Sequence, residues 1–400
     1  MTRSTSHSDV IVVGGGPAGL IAAIALAHRG IGTTLLAPVP QQTDHRTTAL
    51  LGGSVDILKE LDVWKAIEAK AAPLRRLRLV DGTRRLIRTP EVMFDSQEIG
   101  LEAFGYNLAN EDLLAALRGS LHHAGLRVLP MPAAEIELDA AGARITLADA
   151  TAETATLIVA ADGRHSISRK AAGIRVSKRP LSQYAIALNL SHTRPHSDIS
   201  TEFHTESGPF TFVPLQGMRS SLVWVCKAGE VDRLRDANTD ELSREIEQKS
   251  HFMLGEVRID GPRGIFPLGV EIADRFAANR VVLVGEAGHV IPPIGAQGLN
   301  LGIRDAAAIA KLLAGAPDVK SDVGSPDVLE AYDLDRRADI RSRAAAVEML
   351  GRSLLTEFLP VHLARGIGLE IAARVPFLRR RLMRAGLGTS AQDGRHNEIA

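Results

Sequence analysis

Short β-branched runs recur along the chain, and three of them share one sequel: a glycine-rich break, then a helix-forming segment. "VIVV" (10–13) leads into "GGGPAG" and an apolar run to about His28. "TLIVA" (156–160) leads into "ADGRHS" and "ISRKAAG". "RVVLV" (280–284) leads into "GEAGHVIPPIGAQGLN" and "AAIAKLLAG". Each predicts a buried strand that ends in a loop and opens into a helix.

Between these units the pattern varies. From Ser54, Val55, Leu58, Leu61 and Trp64 fall on one helical face. "LRRLRLVDGTRRLIR" (74–88) alternates and carries Asp81-Gly82, a hairpin signal. "NEDLLAALRGSLHHAG" (110–125) is an amphipathic helix, and short strands are expected at "RVLPM" and on to Leu147. From about Ile174 to Pro267, alternation dominates in "YAIALNL", "FTFVPL" and "SLVWVCK", with one helix in "DELSREIEQKSHF". The expected class is α/β: a Rossmann-like nucleotide-binding domain with an antiparallel sheet inserted in it. The expected parts are 1–173, the inserted sheet 174–267, a return segment 268–325 and a helical C-terminal region 326–400, with "APDVKSDVGSPD" as a linker.

Composition changes this picture little. Of 400 residues, 45% are apolar and 24% charged, ordinary for a soluble enzyme with an ample core. Lys+Arg and Asp+Glu both number 47, so no global charge favours nucleic acid. The single cysteine, Cys226, excludes an internal disulfide, a CxxC pair and a cysteine zinc cluster, and fits a reducing, cytoplasmic setting. No signal peptide is evident. The uncharged stretch "VIVVGGGPAGLIAAIALA" has the length of a membrane span, but its glycines and Pro17 suit strand, turn and helix better.

The first junction contains GxGxxG at Gly14, Gly16 and Gly19. Gly14 permits the tight turn, Gly16 lets the backbone approach a pyrophosphate, and Gly19 lets helix and strand pack closely. Pro17 and Ala18 open the helix, whose free N–H groups face the phosphates. A second strand, "TTLLA", follows, but the acidic residue expected at its end to hold a ribose is Ala37.

The three junctions in order, with Arg46 in "HRTTAL", resemble the FAD-dependent aromatic hydroxylases of the p-hydroxybenzoate hydroxylase fold. Within that family the chain is most similar to the ubiquinone-biosynthesis hydroxylases, through "HRTTALLGGSVDILKELDVW", "PLQGMRSSLVWV", "GAQGLNLGIRDA" and the tail "FLPVHLARGIGLEIAARVPFLRRRLMRAGLG". The resemblance implies that the third junction, with Gly285, Glu286, Pro293, Gly295, Gly298, Leu299 and Asn300, cradles the flavin end of FAD. The family usually has Asp where Glu286 stands; Glu286 suits ribityl hydroxyls, and the amides that open the next helix suit a reduced flavin's charge. It places Arg46 beside the flavin, Asn110 near the cofactor, and Asp162-Gly163 in a fingerprint tied to FAD and the nicotinamide donor. Bland roles stand beside these: a solvated charge for Arg46, an N-cap for Asn110, a turn that caps a helix at Ser166 for Asp162, and a structural part for His289.

The implied reaction is ring hydroxylation of a polyprenyl phenol. NADH or NADPH, bound transiently because only one GxGxxG is present, reduces FAD. The reduced flavin and O2 form a hydroperoxide that delivers one oxygen atom to the ring. The residues themselves identify no catalytic acid or base; Tyr106, Tyr184, His192 and His204 are possible pocket groups. A hydroxylase of a small soluble phenol and a non-catalytic FAD-binding scaffold remain alternatives. A flavin halogenase is disfavoured, because Trp64 and Trp224 are far apart and no WxWxIP is present. Arg374, Arg379, Arg380, Arg381 and Arg384, set among Val375, Phe377, Leu378, Leu382 and Met383, predict a basic amphipathic helix for the inner membrane surface or a biosynthetic complex.

Overall fold

The structure, a computed structural model, describes residues 6–39, 44–83, 90–122, 124–315, 322–355 and 375–387. β1 (Ser6–Val13) is buried from Val10 onward, as its unbroken Val/Ile run requires. Gly14, at φ +127°, turns the chain into α1 (Pro17–His28), with Pro17 at its first position. Gly30, at φ +74°, ends that helix, and β2 (Thr33–Leu36) returns parallel to β1.

β3 (Thr47–Leu51) and α2 (Gly52–Glu60) follow. Val55, Leu58, Leu61 and Trp64 are all buried, although α2 stops before Trp64, which sits in a separate 3-10 turn. Next come β4 (Ala72–Pro73), β5 (Arg76–Asp81), β6 (Val92–Asp95), β7 (Gly105–Ala109) and α3 (Asn110–Ser120). β8 (Arg127–Leu129), β9 (Ala133–Leu138), β10 (Ala143–Leu147), β11 (Ala152–Ala160) and α4 (Ile167–Ala171) complete the first half.

β12 (Val176–His192), β13 (Ile199–Thr205), β14 (Gly208–Leu215) and β15 (Arg219–Lys227) then build a second sheet. α5 (Val231–Asp236) and α6 (Thr239–Lys249) interrupt it before β16 (Val257–Ala273). β17 (Ala277–Ala278), β18 (Val281–Leu283) and β19 (His289–Val290) lead to α7 (Gln297–Gly315), α8 (Pro326–Leu355) and α9 (Pro376–Leu387).

The first sheet runs β17-β18-β11-β1-β2-β8, with β10 and β9 extending from β11; its central pairs are parallel. The second runs β19-β16-β12-β15-β14-β13-β5-β6 and is antiparallel apart from β13 with β5. A small third sheet joins β3, β7 and β4. The second sheet thus draws on residues 76–95 as well as on the later chain, and reaches Ala273, so it is not confined to the expected 174–267. β5 pairs with β6, and the return arm expected directly after Asp81-Gly82 falls mostly on residues 84–89, outside the described residues. Part of the expected linker and most of the C-terminal tail also fall outside them.

Each large sheet has its own core. One gathers the buried faces of β1, β2, β11, β18, α1 and α7. The other centres on Trp224, with Phe210 edge-on at 5.4 Å, and α6 covers it with Leu242 and Ile246. α8 folds back onto the first sheet: the Tyr332 hydroxyl donates to the Leu283 carbonyl at 2.8 Å, and the Phe276 amide donates to Asp333 at 2.7 Å. Among the described residues no helix is long and apolar enough to cross a membrane. The uncharged N-terminal stretch is β1, a turn and α1.

Candidate cofactor and active site

β18, β11 and β1 are neighbours in one parallel set, so their C-terminal loops lie side by side. That edge is where an open α/β sheet holds ligands. The glycines of the first loop divide by what surrounds them. A Cβ on Gly14 would run into the Ala161 carbonyl, and one on Gly19 into the Gly14 carbonyl. A Cβ on Gly16 would meet nothing within 4 Å. Two glycines are therefore needed for packing, and the third fronts open space at the start of α1. Gly16 caps that helix without a side-chain hydrogen bond, so the amides of Ala18 and Gly19 are left for an anion. Ala37 packs against Gly15 and supplies no ribose carboxylate.

At the second junction Asp162 accepts from both the amide and the hydroxyl of Ser168, each at 3.0 Å, through Oδ2. Ser166 caps α4 by accepting from the Arg169 amide. Asp162 Oδ1 is buried and has no hydrogen-bond partner among the described residues. Such an acceptor calls for a donor from a ligand or water. Gly163, at φ +78°, faces open space. Buried Arg169 donates to the carbonyls of Ala287 (2.6 Å) and Arg164 (3.0 Å), tying this junction to the next. Arg164 also binds Glu271 on β16, which Lys178 on β12 approaches at 3.3 Å. Burial pushes the Glu271 carboxyl up, but the two cations outweigh it and hold it below its usual range.

The third junction begins at Gly285, φ +63°, wedged against Ala18 and Gly302. Glu286 is exposed on a 3-10 turn. Its charge is among those that raise the pKa of Arg46. Pro293 and Gly298 are exposed, and Gly295 takes φ +65° in the short turn before α7. Leu299 packs on the main core. The Asn300 side chain is fully used inside the protein. It accepts from the Leu51 amide and donates to the carbonyls of Ala49 and Ala296, which fixes β3 against the start of α7. His289 is buried and bonded to Asp305, as a structural residue would be.

Arg46 and Asn110 are joined by a residue that sequence reasoning passed over. Asp44 accepts from Arg46 Nε and Nη2, both at 2.8 Å, and from Asn110 Nδ2 at 2.8 Å. Burial raises the Asp44 carboxyl, but Arg46 and Asn110 outweigh it and the net shift is downward. The hydrogen bond to Asp44 raises Arg46, which lies 5.3 Å over the Phe266 ring of the second sheet. Asn110 does not cap α3: Ala109 holds that position, and Asn110 Oδ1 is buried without a partner among the described residues.

Beside Arg46 a cavity of about 590 Å³ separates the small sheet from the second sheet. His45 and Thr47, either side of Arg46, line it with Asn189, Leu215, Gln216 and Arg219. None of the four anticipated pocket groups does. Tyr106 packs edge-on against Trp64 at 5.0 Å, and Tyr184 packs against the second core. His192 bonds Ser220 and His204 bonds Glu202. Cys226 is buried, and burial pushes its thiol up to about 11. The described residues hold no group of three or more metal-ligating side chains.

A free phosphate cradle at α1, orphaned acceptors at Asp162 and Asn110, and helix-start amides at α7 suit a dinucleotide that ends in an electron-accepting ring. A family model described as an FAD binding domain matches residues 7–347. A ubiquinone hydroxylase of Rhodospirillum rubrum is 32% identical over 96% of this chain and 90% of its own length. A 3-demethoxyubiquinol 3-hydroxylase of Escherichia coli is 30% identical over 95% of this chain and 98% of its own. The crystal structure of p-nitrophenol 4-monooxygenase from Pseudomonas putida shares the fold, with a TM-score of 0.78 at 19% identity over 96% of this chain and 99% of that one.

Proposed function

The chain belongs to the FAD binding domain family, and from that premise we propose that it is a monooxygenase that hydroxylates the aromatic ring of a polyprenyl phenol on the way to ubiquinone. FAD is its cofactor. The observation that carries the reading is the set of three glycine-rich loops side by side at one edge of the first sheet, with Arg46, whose neighbours His45 and Thr47 line a cavity of about 590 Å³. When bound, FAD supplies the redox chemistry: it takes electrons from NADH or NADPH and activates O2 for transfer of one oxygen atom.

The protein binds, orients and shields. Gly14, Gly16, Pro17, Ala18 and Gly19 form the turn and helix start that hold the pyrophosphate. Asp162 Oδ1, beside Gly163, accepts a hydroxyl or amide proton of the cofactor. Gly285 and Glu286 meet the ribityl chain. Pro293, Gly295, Gly298, Leu299 and Asn300 shape the loop whose amides and helix dipole favour negative charge on the ring system. Arg46 adds a fixed cation, and Asn110 holds Asp44 in place behind it. The phenol enters the neighbouring cavity, where Thr47, Asn189 and Gln216 offer polar partners for ring oxygens. No side chain is assigned as proton donor or acceptor.

The cavity rim favours one other substrate class. Lys70 pairs with Asp112 and Arg219 with Asp260 around it, a charged setting that suits a small soluble phenol or aromatic acid. For the lipid reading, α9 gives the meeting point with the substrate's membrane. Its Phe377 is 74% exposed, Val375 precedes it in the open, and Arg380 and Arg381 are exposed beside it. The enzyme then works at the cytoplasmic face of the membrane as a peripheral protein.

Quinone lipids profiled by mass spectrometry in cells lacking the gene test the function. A polyprenyl phenol short of one hydroxyl should accumulate, and its structure gives the ring position. An unchanged ubiquinone pool in cells without a redundant hydroxylase would overturn the lipid reading in favour of a soluble aromatic.

A further inference from the structure

Asp305 lies on the third turn of α7, one residue after Arg304, and is 1% exposed. No part of the proposed cofactor chemistry uses it. One carboxylate oxygen accepts from the Gly285 amide at 2.9 Å and from His289 Nε2 at 2.7 Å. The other accepts from Arg336 Nε on α8 at 2.7 Å. Arg336 is itself buried and donates to Asp339 at 2.8 Å. Asp339 also holds Arg343 at 2.8 Å, and Arg343 reaches Gln297, the first residue of α7, at 3.3 Å. A chain of charges therefore starts at Gly285 and His289 and ends at Gln297. It grips both ends of the loop that the proposed function sets against the flavin.

We infer that Asp305 is a positioning residue for the cofactor: backed by Arg336, it sets the path of the Gly285–Gln297 loop and the orientation of the His289 ring, and through them the affinity and redox behaviour of the bound flavin. The inference rests on the FAD reading. Three observations support it beyond the bonds themselves. Gly285 is held at φ +63° against α1, so a shift at its amide passes directly to Glu286 and to Ala18 of the phosphate turn. His289 Nδ1 is buried with no hydrogen-bond partner among the described residues, so the ring's orientation rests on Asp305 through its other nitrogen. β19 starts at His289 and pairs with β16, so the same residue also fixes the loop to the second sheet. A bond from a carboxylate to a ring nitrogen fixes both tautomer and angle.

The test compares purified wild type with Asp305→Asn, His289→Gln and Arg336→Lys. FAD dissociation is followed by flavin fluorescence, and the midpoint potential and visible spectrum of the reconstituted holoproteins are recorded, with thermal melts of the apoproteins as a control. Asp305→Asn should weaken FAD binding about tenfold and shift the potential, since it removes the charge behind three hydrogen bonds. His289→Gln leaves the Asp305–Arg336 pair intact and should move the potential and spectrum with little loss of apoprotein stability. Arg336→Lys, which keeps the cation but not the guanidinium fork that bridges Asp305 and Asp339, should fall between wild type and Asp305→Asn. If Asp305→Asn does not fold, His289→Gln decides. Folded holoproteins with wild-type affinity, potential and spectrum would overturn the inference. A wild type that binds no FAD would instead overturn the reading beneath it.

Discussion

Asp44 holds Arg46 by two parallel hydrogen bonds of 2.8 Å, from Nε to Oδ1 and from Nη2 to Oδ2. A guanidinium gripped in this fork has one orientation, not many. Asn110 donates to the same Oδ2 that accepts from Arg46 Nη2, and Phe266 lies under the guanidinium. The cation proposed to stand beside the flavin is thus set by three side chains from three parts of the chain.

Asp44→Asn removes the fork and leaves Arg46 mobile. Arg46 is half exposed, so the stability cost should stay within about 1 kcal/mol. Turnover should suffer more, by about tenfold, because positioning is lost while binding groups remain. Steady-state kinetics beside a thermal melt separate the two. A melt that falls sharply with unchanged kcat would show that Asp44 serves the fold alone.

Two glycines two residues apart should respond in opposite ways. Gly14→Ala forces a Cβ into the Ala161 carbonyl at φ +127°, so the apoprotein should lose about 3 kcal/mol. Gly16→Ala meets open space and should leave the apoprotein melt unchanged, while FAD affinity falls about tenfold or more because the methyl fills the phosphate cradle. Urea unfolding of the apoproteins and FAD titration read the two effects separately.

That contrast marks what the chain disclosed in advance. The three strand–loop–helix junctions were legible because local rules write them: β-branched runs, glycines where a side chain would collide, Pro17 at a helix start. The partners of those junctions were not. Asp44, Arg169 and Asp305 act through contacts 66, 118 and 20 residues away, to Asn110, Ala287 and Gly285, and no local pattern encodes such pairs. For Asn110 the sequence left a cofactor-side role and a helix cap equally open, because caps and buried amides use the same residue type; the helix begins one residue earlier than the cap reading needs. β5 joined the second sheet through parallel pairing with β13, more than 100 residues on. Its alternation announced a strand but not its neighbour.

Arg169 should prove a fastener between the second and third junctions. Arg169→Met keeps much of the side chain's bulk and removes the donors to the Ala287 and Arg164 carbonyls. Leaving those carbonyls unpaired should cost about 2 kcal/mol. Amide hydrogen exchange should rise in the Gly285–Gly288 turn and around Arg164. Exchange confined to α4 would limit the role of Arg169 to its own helix.

Glu271 gives the protein a dependence on pH. Its folded carboxyl sits below the usual glutamate range, since Arg164 and Lys178 outweigh burial. A depressed carboxylate stabilises the fold above its unfolded pKa, and that contribution is lost as pH falls through the folded value. Thermal melts carried from about pH 6 down to about pH 2.5 should therefore fall more steeply for wild type than for Glu271→Gln, with the difference opening below the ordinary glutamate pKa of about 4.3. Parallel curves would show that the two cations contribute nothing through this carboxylate.

α9 is pinned on one face and open on the other. Arg379 binds Glu98 by two nitrogens and lies 4.6 Å over the Phe94 ring, and Met383 is buried beside Phe104. At 100° per residue, Phe377, Arg381 and Arg384 project away from that anchored face, with Arg380 at its margin. An aromatic flanked by cations on a fixed helix is suited to an anionic interface, where the ring inserts and each arginine adds about 1 kcal/mol. Phe377→Ser with Arg380→Glu and Arg381→Glu leaves Arg379 and Met383 in place, so the helix stays docked and the melt should hold. Co-sedimentation with vesicles rich in anionic lipid should drop at least tenfold, and wild-type binding should itself weaken as salt rises. Binding that survives the triple change would move the membrane contact elsewhere on the protein. Binding that survives salt but not Phe377→Ser alone would make it apolar rather than electrostatic.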